Sequence, residues 1–311
     1  MNNIIFMGTP DFAIPAINAI HLSQHQICAV VTNPDKPYGR GRKLKPSAIK
    51  MIAQDLKYPI LQPEKLNDSN FLNEIEKLKP SLLVVVAFKK IPPQLYNLAT
   101  HGAINIHASL LPKYRGAAPI HHAILNGERE TGVTTFQIND KIDTGNIICQ
   151  EKISIKSDET TGSLWTKLSQ LGQVAILKTL DQLDTGKINY ILQDNLLATK
   201  APKIFPKDLK IDWDKSATQI HNQIRAYSPK PGAFTTLNGK RIKLFSTSVI
   251  EPINEQKKDQ LGRIRINNNN LTIMTGNGIL NVSEIQSEGK SRMDVKSYLS
   301  GNKIEKEAIC L

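Results

Sequence analysis

The sequence predicts an α/β fold: a doubly wound, mostly parallel sheet followed by a small β-barrel. Three observations carry this. Across residues 1–197, apolar runs of strand length alternate with helical periods, the signature of parallel strands joined by crossover helices. Residues 198–209 mix Lys200, Lys203 and Lys207 with Pro202 and Pro206, lack periodicity and read as a linker. Residues 210–311 hold one helix and then short strands separated by Gly and Asn turns, as in a small barrel. A chain of 311 residues agrees with two domains.

Taken in order, Ile4, Ile5, Phe6 and Met7 form an apolar strand, Gly8-Thr9-Pro10 a turn, and the stretch to Ile20 an amphipathic helix. That turn lacks the glycine spacing of a dinucleotide loop. Strand and helix then recur: a strand over 27–32, helices over 47–56 and 67–78, and strands over 82–86 and 103–106. Between the second strand and the second helix lies a loop with Lys36, Arg40, Arg42, Lys43, Lys45 and Lys50 against a single Asp35. Pro37, Gly39, Gly41 and Pro46 argue against regular structure there. The loop is either a solvated charged segment or a phosphate-neutralising one. Residues 119–126 should be helical, and its neighbours His121 and His122 point about 100° apart, poor geometry for a shared metal. A long helix over 160–183, a helix over 215–227 and strands near 241–250, 262–266, 271–274 and 279–285 complete the chain.

The densest chemistry falls between residues 103 and 145. Asn105 and His107, two apart on a strand, share a face near its carboxyl end, where doubly wound sheets bind ligands. Asp143 follows the apolar segment 133–138 at a turn. Taken singly, each residue is ordinarily a capped or solvated polar group. As a set they suit acyl transfer between nitrogens: an amide and an imidazolium stabilise the tetrahedral oxyanion, and an imidazole oriented by a carboxylate handles the proton. No metal is needed.

The motif Asn105-Ile106-His107, then Ser109-Leu110-Leu111-Pro112, Arg115-Gly116 and Asp143-Thr144-Gly145, resembles the active-site signature of the formyltetrahydrofolate-using transferases. The opening Gly8-Thr9-Pro10-Asp11-Phe12 and the loop from Gly39 to Ser47 are similar to the methionyl-tRNA formyltransferases in particular. The resemblance implies a Rossmann-like catalytic domain over 1–197 and a basic OB-like domain over 210–311. It implies transfer of the formyl group of 10-formyltetrahydrofolate to methionine on initiator methionyl-tRNA, by a monomer without a metal. Asn105, His107 and Asp143 would be catalytic. Ser109, Leu110, Leu111, Pro112 and Phe88 would line the folate side, and Arg40, Arg42, Lys43 and Lys45 would contact the tRNA. The chain departs from the family pattern at Phe88-Lys89-Lys90, where Tyr-Gly and an apolar residue are usual, and at Lys230, where an aromatic is usual. A glycinamide ribonucleotide formyltransferase would end near residue 200. The Gly-Arg-Gly loop and Ala117-Ala118-Pro119 argue against a sugar-nucleotide formyltransferase, and an intact Asn105, His107 and Asp143 set against a non-catalytic RNA-binding protein.

Composition bounds the same reading. Apolar residues make up 40% and charged residues 22%, as in ordinary globular proteins. The net charge of +12 fits either a polyanionic partner or a lysine-rich proteome. From Pro206 onward 17 lysines and arginines face 11 aspartates and glutamates, a +6 excess in a third of the chain. Cys28, Cys149 and Cys310 have no paired spacing, and neither a leader nor a membrane-length apolar run is evident, so a cytoplasmic protein is expected.

Overall fold

The computed structural model describes residues 1–38, 43–250, 260–302, 304 and 308–311. The chain divides into two compact units that a single cut does not separate. One comprises Met1–Pro119, Glu130–Ser154 and Trp165–Pro202; the other comprises Ile120–Arg129, Ile155–Leu164 and Lys203–Leu311.

In the first unit, Ile4, Ile5, Phe6 and Met7 are fully buried and seat β1 (Ile4–Gly8) inside a seven-stranded sheet. Each such side chain contributes about 1.5–3 kcal/mol by leaving water. After α1 (Ile14–His21) come β2 (Ile27–Val31), a hairpin of β3 (Lys36–Tyr38) and β4 (Lys43–Lys45), α2 (Ala48–Asp55) and β5 (Ile60–Leu61). Then follow α3 (Ser69–Lys77), β6 (Leu82–Val86), α4 (Pro93–Tyr96), β7 (Ala103–His107), α5 (Pro119–Leu125), β8 (Glu130–Gln137), β9 (Ile147–Ser154) and α6 (Thr161–Asp184); of these, α5 after Pro119 and the first four residues of α6 belong to the second unit. The sheet order is β5-β2-β1-β6-β7-β8-β9, with the first five strands parallel and β8 and β9 antiparallel. Local chemistry sets the helix starts. The Ser47 hydroxyl accepts from the Lys50 amide at α2, and the Asp68 carboxylate accepts from the Asn70 and Phe71 amides at α3.

Two expectations need correcting here. The basic loop is not wholly irregular, since β3 pairs antiparallel with β4, with Lys36 opposite Lys45. Nor is all of 198–209 loose. The Ala201 amide donates to the Arg115 carbonyl at 2.7 Å, the Ala118 amide donates to the Ala201 carbonyl at 3.1 Å, and Ala201 is fully buried. Backbone pairing, invisible in composition, ties this piece down. Farther along, Pro206–Leu209 forms a 3-10 turn in the second unit.

The second unit holds α7 (Ala217–Ala226), β10 (Ala233–Leu237), β11 (Lys240–Ile250), β12 (Ile264–Asn267), β13 (Asn270–Met274), β14 (Ile279–Ser287), β15 (Met293–Asp294) and α8 (Val295–Gly301). Its strands run antiparallel in the order β10-β11-β14-β13-β12. Residues 308–311 close this sheet. Cys310 bridges to Leu237 at the end of β10, and Ile309 bridges to Arg263 beside β12, so one short segment joins both edges. Gly262, at φ 71°, permits the approach, because a Cβ there would stand 2.3 Å from the Cys310 carbonyl oxygen. Inside the unit, the buried Arg225 guanidinium donates to Asn222 Oδ1 at 2.9 Å and to the carbonyls of Glu159 at 3.2 Å and Ile124 at 3.4 Å.

Candidate active site

β6 and β7 run parallel with Val86 opposite Ile106, so Phe88 leaves the sheet at the same carboxyl edge as His107. Asn105 and His107 fall on one face of β7. Asn105 is half-buried, and among the described residues no group hydrogen-bonds its side chain. His107 is 6% exposed and hydrogen-bonds the Tyr114 carbonyl through Nε2 at 2.9 Å. A carbonyl only accepts, so Nε2 carries a hydrogen, and in the neutral ring Nδ1 is the free base. That atom faces Asp143 Oδ2 at 3.7 Å. Two acceptors so placed form a pocket for one proton. The same carboxylate oxygen is held in place by the Gly116 amide, which donates to Oδ2 at 2.8 Å.

Glycines make this loop geometry possible. Gly116 lies at φ 124°, and a Cβ on it would sit 2.6 Å from the Ala201 carbonyl oxygen. Asp143 itself takes the left-handed region at φ 54°, which aspartate tolerates better than most residues.

The four residues of the Ser-Leu-Leu-Pro run divide by burial. The Ser109 hydroxyl, fully buried, donates to the Lys113 carbonyl at 2.7 Å, and its own carbonyl accepts from the Thr134 hydroxyl at 2.6 Å. Leu111 packs in a small cluster with Phe136 and Ile147. These two hold the loop from within, while Leu110 and Pro112 are half-buried. Phe88 is half-buried against the central core. The lysine at the family's glycine position strains nothing: the left-handed residue here is Ala87, at φ 49°, and not Lys89.

Gln193 was not singled out from the sequence. It is 5% exposed, accepts from Arg115 Nε and Nη2 at 3.0 and 2.7 Å, and donates to the carbonyls of Asp143 and Gly145 at 3.0 and 2.7 Å. It lies in a stretch of mixed polar and apolar residues without helical or strand periodicity, where no sequence pattern marks it. A cleft of about 520 Å³ opens against this hub, lined by Arg115, Asn139, Lys141, Thr144, Leu192 and Gln193. Thr9 Oγ1 and Asn33 Oδ1, just past β1 and β2, are buried with no hydrogen-bond partner among the described residues.

Of the four basic residues assigned to tRNA, Arg40 and Arg42 lie outside the described residues. Lys43 and Lys45 stand on β4, Lys45 exposed. Lys50 is held by Asp35 at 2.7 Å, so this cation of the loop is already neutralised. On the barrel, the Arg241 guanidinium stacks over Phe234 at 4.2 Å and that of Arg292 over Phe245 at 4.6 Å.

Residues 1–180 match the formyl transferase family, and residues 203–303 match the formyl transferase C-terminal domain. A methionyl-tRNA formyltransferase of Porphyromonas gingivalis is 45% identical over 96% of this chain and 95% of its own length. One from Alkaliphilus oremlandii is 44% identical over 97% of each chain. Among solved structures, a sugar 3N-formyl transferase determined with dTDP and 5-N-formyl-THF superposes with a TM-score of 0.68 over 94% of this chain and 99% of its own, at 24% identity, and shares the fold. With both regions matched and full-length relatives above 40% identity, the chain belongs to the formyl transferase family, alongside the methionyl-tRNA formyltransferases.

Proposed function

We propose that this protein transfers the formyl group of 10-formyltetrahydrofolate to the amino group of methionine on initiator methionyl-tRNA. The observation that carries this is the 45% identity running through the catalytic unit, the basic hairpin and the barrel to a relative of that name. In the reaction, the methionyl nitrogen attacks the formyl carbon and a new C–N bond forms. The carbonyl oxygen becomes an oxyanion, received by the Asn105 amide and by the imidazolium that forms as His107 Nδ1 takes up the amine's proton. The proton released by the amine enters the space between His107 Nδ1 and Asp143. Collapse breaks the bond to folate N10, which takes a proton from the same pair and departs as tetrahydrofolate. Leu110, Pro112 and Phe88 face the folate, with Ser109 and Leu111 shaping the loop behind them. Arg40, Arg42, Lys43 and Lys45, with the barrel, hold the tRNA backbone. The active species is a cytoplasmic monomer; no helix among the described residues is long and apolar enough to cross a membrane.

The sugar-nucleotide reading rests on fold likeness at 24% identity and lower, against 45% for the tRNA reading. The test presents purified protein and 10-formyltetrahydrofolate with methionyl initiator tRNA, free methionine and a UDP-amino-sugar in parallel. Formylation confined to the charged tRNA is expected, and formylation of the sugar alone would overturn the assignment.

A further inference from the structure

We infer that Gln193 is a positioning residue for formyl transfer: one buried amide pins the 143–145 turn that presents Asp143 and couples that turn to Arg115. The inference rests on the site being the formyl-transfer centre proposed above.

Gln193 uses both ends of its amide in opposite directions. Its Nε2 hydrogens go to two carbonyls of one tight turn, Asp143 at 3.0 Å and Gly145 at 2.7 Å, bracketing Thr144. Its oxygen takes two donors of the Arg115 fork, while Arg115 Nη1 donates to Asn195 at 2.9 Å. Orientation of the amide is therefore fixed, because a flipped group would set hydrogens against guanidinium and oxygen against carbonyls. The turn needs such a clamp. Asp143 sits in the left-handed region at φ 54°, a conformation that persists only when its surroundings over-determine it. Its carboxylate receives the Gly116 amide, and Gly116 immediately follows Arg115. Arg115, Gly116, Asp143 and Gln193 thus form a closed ring of contacts around the carboxylate that faces His107. Gln193 touches no reacting atom; it acts through Asp143.

Glutamate at this position separates the two functions. It keeps both bonds to Arg115 and, held beside that cation, stays ionised, but it turns a donor into an acceptor against two carbonyls. In the full-length protein, Gln193→Glu and Gln193→Ala should each lower kcat about 10- to 100-fold, the scale of a misplaced catalytic group, with KM for folate and tRNA within about twofold. Gln193→Glu should melt several degrees below the parent, since Arg115 remains anchored but two buried carbonyls lose their donor, and turnover is compared at temperatures where both variants are folded. Backbone hydrogen exchange across residues 139–147 should quicken in both variants. Placed on Asp143→Ala, Gln193→Glu should cost less than about twofold more, because two residues acting through one group are not additive. Full additivity, an unchanged kcat in Gln193→Ala, or unchanged exchange in the turn would each overturn the inference. Should the parent protein fail to formylate charged tRNA, the function proposed above falls, and the exchange measurement alone decides whether Gln193 clamps the turn.

Discussion

Gly145→Ala gives the sharpest test of how tightly the site is built. A Cβ at Gly145 would stand 1.6 Å from the Gln137 carbonyl oxygen and 2.7 Å from its carbon, where side-chain carbons essentially never come within 3.0 Å. The backbone at 145 must therefore retreat from β8 by about 1.4 Å, the difference between the two distances. It cannot do so freely: the Gln137 amide donates to the Asn146 carbonyl at 2.9 Å, and the Gly145 carbonyl accepts from Gln193 at 2.7 Å. Weakening both bonds costs on the order of 1–3 kcal/mol of stability. The larger effect should fall on rate, because Asp143 lies two residues away, and a misplacement of about 1 Å lowers turnover roughly a hundredfold. Formyl transfer at saturating folate and charged tRNA, measured beside a thermal melt, would show kcat reduced about a hundredfold at temperatures where the variant is folded. Gly301→Ala, where nothing lies within 4 Å of the added carbon, is the control and should turn over normally. A Gly145→Ala protein within about threefold of the parent would refute the claim that the turn's position sets the rate.

Three further outcomes are expected. His107→Ala and Asp143→Ala should each slow transfer at least about a hundredfold with tRNA binding little changed, and normal turnover in His107→Ala would sink the assigned chemistry. Arg42→Ala should raise KM for tRNA with a shallower salt dependence, leaving kcat near that of the parent; an unchanged salt slope would remove Arg42 from the tRNA interface. The third outcome concerns pH. Burial holds His121 and His221 below the ordinary imidazole value of 6.5. The unfolded chain binds protons at these positions first, so their contribution to stability is whole above pH 6.5 and drains as pH falls toward the depressed folded values. Melting at pH 7.5 and 5.5 should show the loss, and His221→Gln should shrink it; an identical drop in that variant would exonerate the imidazole.

The parallel strands were legible because burial on both faces leaves an unbroken apolar run, as in Leu82–Val86, which the structure places with those bounds. Helix α2 was legible for a different reason, since Ser47 marks its start by capping. The strand β9 (Ile147–Ser154) was missed because it changes character midway, buried over its first three residues and then half in solvent. Strand β10 was missed because its inward positions include Thr235, whose hydroxyl accepts from the Trp213 indole. At the candidate site, Asn105, His107 and Asp143 could be singled out because chemistry restricts residue type. Gln193 and the pairing of Ala201 with Arg115 escaped because their bonds go largely to backbone carbonyls, which every residue carries.

The barrel's unit also takes Ile120–Arg129 and Ile155–Leu164 from within the first two hundred residues. Arg225 depends on that borrowing, since two of its acceptors are the carbonyls of Ile124 and Glu159. A fragment beginning at Lys203 would leave a buried cation short of acceptors, a cost of several kcal/mol against a total stability of about 5–15. The barrel is therefore not a cassette that gene fusion could lift out and graft onto another protein with one crossover. Changes in what this chain recognises must accumulate by substitution in place, with both halves of the gene travelling together.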